Sequence, residues 1–381
     1  MSAWPGKYII GLTGNIATGK SVVRKMLEHL GAYGIDADSL GHRAIAQGAP
    51  GYKPVVENFG RWVVTDDGQI DRQRLARIVF ADPQALEILE AIVHPLVTQA
   101  VDILIRRSKQ NVIVIEAIKL IESELGDKVD TLWVTQARPE IQLARLMQKR
   151  GLSDSNAHQR INAQPPQNEK IALADVVIKN DGSFENTWRQ VSSAWQSAFP
   201  DEDTQPYKPV AKRAKAGKPA WEVARARPRE ADDISLLINR LSRGQRNLDR
   251  EAVMGAFGEK AFLILRQNDQ PVGVVGWRVE NLVACTDDVY LEAHLAPVEA
   301  LGVLMQEVER TSKELQCEVS LLFAPQTLAA ANLPWERLGY QPRTIESLRV
   351  RAWQEAAAES MPPNTVMLFK QLRQDRVLRP V

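Results

Sequence analysis

YIIGLTGNIATGKS, residues 8–21, is the stretch that decides the fold of the first half of the chain. Residues 8–12 are apolar and predict a buried strand, and residues 22–30 predict a helix. Between them, Gly14-x-x-x-x-Gly19-Lys20-Ser21 fits the phosphate-binding loop pattern. Glycines let successive backbone N–H groups turn toward one place, where the helix adds its positive dipole end. The alternative, a glycine-rich turn without function, is disfavoured by the strand and helix on either side.

This loop predicts a nucleotide site with distinct roles for its side chains. Lys20 is long enough to reach the β- and γ-phosphates of ATP, and the Ser21 hydroxyl is suited to bind magnesium. The expected ATP-binding residues are Gly14, Asn15, Ile16, Ala17, Thr18, Gly19, Lys20, Ser21 and Val22.

An acidic residue follows the next predicted strand. Gly34 and Ile35 lead into Asp36-Ala37-Asp38, and in an open α/β sheet ligands lie at the carboxyl ends of the strands. Asp38 is therefore expected near the loop, as a base that accepts a proton from an attacking hydroxyl or as a magnesium ligand. The alternative is that Asp38 only caps a helix that begins at Ser39.

The remainder of the first half alternates between helices and apolar strands. Strands are predicted at 111–115, 131–135 and 175–180, and helices over most of 39–110 and at 139–150, 153–163 and 183–199. The long run 83–107 is expected to break near His94-Pro95. Basic residues surround the break at Gly151, where they either neutralise charge on a phosphoryl group or form a solvated helix face. They are Arg145, Lys149, Arg150 and Arg160.

Composition indicates a soluble globular protein of about two domains. The chain has 381 residues, of which 44% are hydrophobic and 25% charged, and its net charge of +1 gives no global attraction to nucleic acid or membrane. Two cysteines suit a reducing cytosol. Neither a signal peptide nor an apolar run long enough to span a bilayer is found by inspection, so a cytoplasmic location without a membrane partner is expected.

The first 200 residues resemble the dephospho-coenzyme A kinase family, and the order and spacing of several motifs carry the resemblance. The matching residues are Gly11-Leu12-Thr13-Gly14 with Gly19-Lys20-Ser21, Ile35-Asp36-Ala37-Asp38, Leu89-Glu90 with His94-Pro95, Gln142-Leu143-x-Arg145-x-x-x-x-Arg150, Gln164-Pro165, and Ala174-Asp175-x-Val177-Ile178-x-Asn180. The resemblance implies an α/β fold of the P-loop NTPase type, with a three-layer parallel sheet, a helical acceptor domain over about 40–107 and a mobile lid.

The same resemblance implies an activity. The γ-phosphoryl of ATP would be transferred to the ribose 3′-hydroxyl of dephospho-coenzyme A, with Asp38 as the base. Arg145 and Arg150 would contact the nucleotide from the lid, and Asn180 would lie near the adenine. Candidate acceptor-binding residues are Asp38, His94 and Lys119, although a lone histidine is more often a helix-end or packing residue.

Two departures from the family pattern bear on activity. Asn15 and Ala17 carry a Cβ where glycine is usual. Lys119 stands in a segment that is usually Pro-Leu-Leu, and it either binds a substrate phosphate or points to water. The alternative to turnover is a nucleotide-binding regulatory protein that has lost catalysis.

The second half is expected to be a separate domain at 230–381, joined to the first domain at 1–200 by a basic, proline-containing linker at 201–229. A basic linker can touch nucleic acid, but such runs are more often only solvated. Residues 233–243, 301–315 and 333–340 predict helices, strands are predicted at 288–292, 318–323 and 366–370, and Asn268-Asp269 predicts a hairpin between two further strands.

This order resembles the GNAT acetyltransferase fold, an α+β fold, over about 230–375. The family's acetyl-coenzyme A loop corresponds to residues 297–302, where only Gly302 fits and Glu299 brings negative charge to a pyrophosphate site. A non-catalytic GNAT-like domain of unknown partner is therefore favoured over a bifunctional kinase and N-acetyltransferase.

Overall fold

Two β-sheets organise the chain in the computed structural model, which describes residues 3–200, 210–212, 221–242, 244–330, 332–374 and 377. The first half contributes the strands β1 (Tyr8–Thr13), β2 (Tyr33–Asp36), β3 (Val112–Glu116), β4 (Thr131–Gln136) and β5 (Val176–Lys179). Every pair of neighbours is parallel, in the order β2-β3-β1-β4-β5. The central strand β1 therefore delivers the glycine loop to the middle of the carboxyl edge, where ligands bind in such sheets.

Helices cover both faces of this sheet. They are α1 (Lys20–His29), α2 (Ala37–Ala44), α3 (Tyr52–Phe59), α4 (Arg72–Ala81), α5 (Pro83–Arg107), α6 (Pro139–Arg150), α7 (Asp154–Asn162), α8 (Gln167–Ala172) and α9 (Phe184–Ala198). Ile9 and Ile113 face one apolar layer together with α5, whereas Ile10 and Val114 face the other together with α1 and α9. Because successive strand residues point to opposite faces, two buried layers result. The expected three-layer parallel fold is confirmed.

Helix α5 corrects two expectations. It runs unbroken for 25 residues with Pro95 inside it, so the break expected near His94-Pro95 is wrong. It is also long and apolar enough to cross a bilayer, with a mean hydropathy of 1.6 over 18 residues, so the expectation that no run could do so is wrong as well. The criterion is one of length and composition only. One such helix is weak evidence for a membrane, because core helices meet the same criterion.

The second half forms a mixed sheet. Its strands are β6 (Val210–Lys212), β7 (Trp221–Arg225), β8 (Ala261–Gln267), β9 (Gln270–Glu280), β10 (Val283–Leu291), β11 (Val319–Pro325), β12 (Gln341–Pro342) and β13 (Thr365–Gln371), in the order β12-β13-β11-β10-β9-β8-β7-β6. Among these described strands, β10 and β11 pair in parallel and the other neighbours are antiparallel. The predicted hairpin is confirmed, with Asn268 and Asp269 both at positive φ between β8 and β9.

In the described part of the second half, six α-helices accompany this sheet: α10 (Ala231–Leu241), α11 (Arg250–Phe257), α12 (Pro297–Glu314), α13 (Gln326–Ala329), α14 (Asn332–Leu338) and α15 (Arg351–Ser360). The long helix α12 buries Leu301, Leu304 and Val308 against β8 and β9. The α+β character expected of this half is confirmed.

Strands β6 and β7 lie inside the range expected to be a linker. Residues 210–212 and 221–225 belong to the second sheet, so the expectation of an extended linker is wrong for them. Val223 is 1% exposed in the apolar core beside α12. The missed signal is the apolar pair Trp221 and Val223 spaced by two, which marks one face of a strand. Residues 201–209 and 213–220 of the expected linker lie outside the described residues, and the domain boundaries remain a prediction.

The two halves meet along α1 and α2. From α1, Lys25 donates to the Val279 carbonyl at 3.1 Å, and His29 Nε2 donates to the Phe257 carbonyl at 2.8 Å. From α2, Arg43 forms an ion pair with Glu318, whose side chain is 1% exposed. The helices that follow the glycine loop and carry Asp38 are therefore anchored to the second half.

His29 is neutral in this interface. Arg225 donates to His29 Nδ1 at 3.1 Å, which leaves the proton on Nε2 for the Phe257 carbonyl. Burial and the Arg225 charge together lower the pKa of His29 to about 3.

Candidate functional site

The glycine loop adopts a conformation that its glycines make possible. Gly14 has φ 150°, and Gly19 has φ 93° as the residue that caps α1. A Cβ on Gly19 would lie 1.9 Å from Asn180 Nδ2, so a larger residue would displace the Asn180 side chain and strain a left-handed backbone. Ala17 stands at φ 58°, a region that costs a non-glycine residue on the order of 1 kcal/mol or more. Of the two departures from the family loop, Ala17 is therefore the strained one.

Residues 164 and 165 hold the loop from the outside. Asn15 Nδ2 donates to the Pro165 carbonyl at 2.8 Å, and the Ile16 N–H donates to Gln164 Oε1 at 2.6 Å. Inside the loop, Thr18 Oγ1 donates to the Asn15 carbonyl at 2.8 Å. The asparagine that replaces glycine at position 15 is thus tied into the structure by its own side chain.

Lys20 is 7% exposed and folds back along the loop. Its Nζ donates to the carbonyls of Gly14 at 3.1 Å and Asn15 at 3.3 Å. Burial lowers the pKa of Lys20, and the carboxylates of Glu116 and Asp38 oppose that shift. A buried cation held by neutral carbonyls next to acidic groups is a candidate to meet a phosphate.

Glu116 is a site residue that the sequence analysis missed. It ends β3, is 4% exposed, and accepts from Ser21 Oγ at 2.9 Å and from Arg24 Nε at 2.6 Å. The available signal was the acid that follows the apolar run 112–115 at the carboxyl end of a predicted central strand. A hydroxyl and a carboxylate are the hard oxygen ligands that magnesium takes beside waters and substrate phosphates.

Among the described residues, no group of three or more His, Cys, Asp or Glu side chains is placed to hold a metal ion without further ligands.

Asp38 lies in the first turn of α2, and Asp36 caps that helix by accepting from the Ser39 N–H at 2.8 Å. The alternative that Asp38 is the cap is therefore wrong. The Asp38 carboxylate instead accepts from the Ile118 N–H at 3.1 Å. Burial, with the neighbouring Asp36 charge, raises the pKa of Asp38 to about 6, against the opposing charge of Lys20. A carboxylate with this pKa is suited to accept a proton near neutral pH.

Arg145 and Asn180 both reach the glycine loop. Arg145 donates to the carbonyls of Ala17 at 3.1 Å and Asn180 at 2.8 Å, and burial lowers its pKa. Asn180 Nδ2 donates to the Thr18 carbonyl at 3.0 Å. The structure thus brings these two predicted residues to the loop, although their roles toward a ligand remain predictions. The side chains of Lys149 and Arg150 lie outside the described residues, while the backbone of α6 ends at Arg150 before Gly151.

His94 and Lys119 lie on the surface. His94 is exposed on α5, and Lys119 is 54% exposed and forms an ion pair with Glu90 at 2.6 Å. The alternative that Lys119 points to water matches its exposure. A role for either residue in binding the acceptor stays a prediction.

The fold and the loop define a P-loop nucleotide-binding protein, with a carboxylate beside the loop as kinases require. The sequence model of the family described as Dephospho-CoA kinase matches residues 8–186. A dephospho-CoA kinase from Geobacter sulfurreducens is 44% identical over 195 residues, which cover 50% of this chain and 99% of that protein. The chain belongs to the dephospho-CoA kinase family, with a second half that extends beyond this match.

Two solved structures complete the comparisons. A dephospho-CoA kinase from Campylobacter jejuni is 27% identical, covers 50% of this chain and 97% of its own, and has a TM-score of 0.38. An acetyltransferase of the GNAT family from Staphylococcus aureus is 13% identical, covers 40% of this chain and 100% of its own, and has a TM-score of 0.33.

Proposed function

We propose that the first half transfers the γ-phosphoryl of ATP to the ribose 3′-hydroxyl of dephospho-coenzyme A, in the presence of magnesium. The observation that carries the proposal is the placement of Asp38. This carboxylate, with a pKa of about 6, lies within electrostatic reach of Lys20, which closes on the glycine loop. A proton acceptor beside a phosphate-binding lysine is what transfer from ATP to an alcohol needs.

Different residues would bind the phosphates and accept the proton. Loop N–H groups and the start of α1 would bind the phosphates, and Lys20 would exchange the Gly14 and Asn15 carbonyls for phosphate oxygens. Asp38 would take the proton of the attacking hydroxyl. Arg145, now held by two carbonyls beside the loop, would turn to the transferring phosphoryl group.

Magnesium would be held by Ser21 and Glu116, and it would neutralise charge on the phosphate oxygens. Because Ser21 donates its hydroxyl proton to Glu116 at 2.9 Å, the lone pairs of its oxygen stay available to a cation. Helices α2 to α5 would bind the acceptor, with His94 and Lys119 as candidates. The proposed activity agrees with a cytoplasmic enzyme that acts on small molecules.

The second half is proposed to be non-catalytic. Its helix α12 begins at Pro297 with an acidic residue, Glu299, in the first turn. A negative charge there opposes the pyrophosphate of acetyl-coenzyme A.

Product analysis tests the proposed activity. The full chain is incubated with ATP, magnesium and dephospho-coenzyme A, and formation of coenzyme A is followed by chromatography and mass. Asp38→Asn keeps the shape of the side chain but cannot accept the proton, so a loss on the order of 100-fold or more in rate is expected. Asp233→Asn, at an exposed position in the second half, is the matched control and should turn over normally. Equal rates in the two variants would contradict the role of Asp38, and no product from the unchanged chain would favour a regulatory protein without turnover.

A further inference from the structure

We propose that Lys170 is a positioning residue for phosphoryl transfer, which holds the peptide of Ile118 and through it the carboxylate of Asp38. The inference rests on the proposed function. Lys170 lies on α8, and its Nζ donates to the Ile118 carbonyl at 2.5 Å. The N–H of the same residue donates to Asp38 at 3.1 Å. Ile118 therefore connects the lysine, through its carbonyl, to the carboxylate, through its N–H.

Ile118 is held from a second side. Thr13 Oγ1, at the end of β1, donates to the same Ile118 carbonyl at 3.0 Å. The carbonyl thus has two donors from two different elements, and its orientation is fixed by both. The Ala117 N–H still bonds to the Leu12 carbonyl of β1 at 3.1 Å, and the two side-chain donors hold the chain at the next residue, Ile118.

The contacts of Lys170 do not account for the burial of its charged side chain. Lys170 is 5% exposed, and lysine is almost never fully buried unless it is paired. Its ion pair with Glu122 spans 3.9 Å, and the Glu122 side chain is 47% exposed. The shortest contact of the ammonium group is therefore the neutral Ile118 carbonyl, and burial lowers the pKa of Lys170. Such a cation in a candidate site indicates a functional role.

The segment that carries Lys170 crosses the whole site. Gln164 accepts from the Ile16 N–H in the loop, and Gln167 donates to the Ala137 carbonyl after β4 at 2.9 Å. Lys170 then reaches Ile118 after β3. Three strand ends are joined by seven residues, so the segment fixes the loop and the carboxylate relative to each other.

The charges around Asp38 set the sign of the expected pH effect. Asp36 and Glu116 favour the protonated form of Asp38, whereas Lys20 and the Ile118 N–H favour the ionised form. Asp38 in turn favours the charged form of Lys170, as does Glu122. Removal of the Lys170 charge therefore makes the ionised carboxylate less stable. The pH below which transfer fails should move upward.

The test compares Lys170→Met with Lys170→Arg and Thr13→Val, in the full chain. Lys170→Met is expected to lower kcat on the order of 10-fold, with little change in KM for ATP, and to shift the acidic limb of the kcat profile to higher pH. Lys170→Arg should recover part of the rate, because a cation can still donate to the carbonyl. Thr13→Val removes the second donor to the Ile118 carbonyl but no charge, so it should lower kcat by less and leave the acidic limb unshifted. The double variant with Lys170→Met should lose less than the product of the single losses.

Two controls keep the result interpretable. Lys109→Met changes a lysine that is 75% exposed and lies after α5, outside the helices proposed to bind the acceptor, and it should leave rate and pH profile unchanged. Titration with a non-hydrolysable ATP analogue confirms that each variant retains a folded loop. An unshifted acidic limb in Lys170→Met, or a loss confined to KM for ATP, would overturn the inference while the proposed function stands. No transfer by the unchanged chain would overturn both.

Discussion

The beginnings of α1 and α12 offer the same physical feature, the positive end of a long helix that follows a strand. At α1 the cap is Gly19 at φ 93°, and the first turn holds Lys20 and Ser21 without an acid. At α12 the cap is Ala296, Pro297 removes an N–H, and the first turn holds Glu299. A helix end alone therefore does not make a phosphate site. The loop that turns N–H groups inward and the side chains around it make the difference.

Among the variants that probe these two helix beginnings, Lys20→Met is expected to have the largest effect on activity. It removes the cation that the loop carbonyls hold, and the rate of transfer should fall on the order of 1,000-fold because charge on the phosphoryl group is no longer neutralised. The measurement is steady-state coenzyme A formation, with Lys109→Met, at a lysine that is 75% exposed, as the control. A fall of less than about tenfold would show that Lys20 does not contact the transferring group.

Gly19→Ala and Gly302→Ala make the same change in α1 and in α12. They should change the stability of the protein in opposite directions. At Gly19 the new Cβ meets Asn180 Nδ2 at 1.9 Å and the backbone is left-handed, so both ATP-analogue binding and thermal stability should fall. At Gly302, inside α12, the nearest atom to a new Cβ is Leu338 Cδ2 at 3.8 Å. Alanine there should stabilise by about 0.5–1 kcal/mol. Denaturation curves of the two variants measure both outcomes, and destabilisation by Gly302→Ala would show that α12 needs its glycine.

The pKa of Asp38 predicts how transfer depends on pH. The base is ionised only above a pKa of about 6, so the rate should fall as the pH drops through that value. The shift has an opposite consequence for stability. The folded pKa lies above the unfolded value, so the folded state binds the proton more tightly, and stability declines as the pH rises from about 4 to about 6.

Asp38→Asn should remove both effects. At pH 7 the variant should be less active but more stable than the unchanged chain. Denaturation curves at two pH values measure the difference in stability. A variant that loses stability at pH 7 would contradict the raised pKa.

Glu299→Gln should have the smallest effect. It removes the charge that opposes pyrophosphate at α12 but adds no glycine loop, so coenzyme A formation should change by less than about twofold. Calorimetry with acetyl-coenzyme A should detect no gain in binding to the second half. Strong binding after this single change would mean that the Glu299 charge alone had prevented acetyl-coenzyme A from binding to the second half.

The sequence was sufficient where the signal is local. The strand, glycine loop and helix of residues 8–29 have contiguous patterns, and so does the hairpin at Asn268-Asp269. Glu116 had a local signal, an acid after an apolar run, but Lys170 had none. The partners that give these residues their roles, Arg24 and Ile118, are distant in the chain. Their roles depend on how the strands pair.

The predictions for helix α5 and strand β7 were wrong for different reasons. Pro95 was expected to break a helix, but neighbouring elements support α5 through the proline. The basic residues around β7 suggested a solvated linker, but one apolar face was enough to add it to the sheet.

The number of nucleotide sites per chain tests most directly whether phosphate binds at α1 and not at α12. The full chain is titrated with a non-hydrolysable ATP analogue and magnesium by calorimetry, beside Lys20→Met and Glu299→Gln. One site per chain is expected, lost in Lys20→Met and unchanged in Glu299→Gln, because among the described helices only α1 begins with a loop built for phosphate. A second site, or a single site that survives Lys20→Met, would contradict the assignment of phosphate binding to α1.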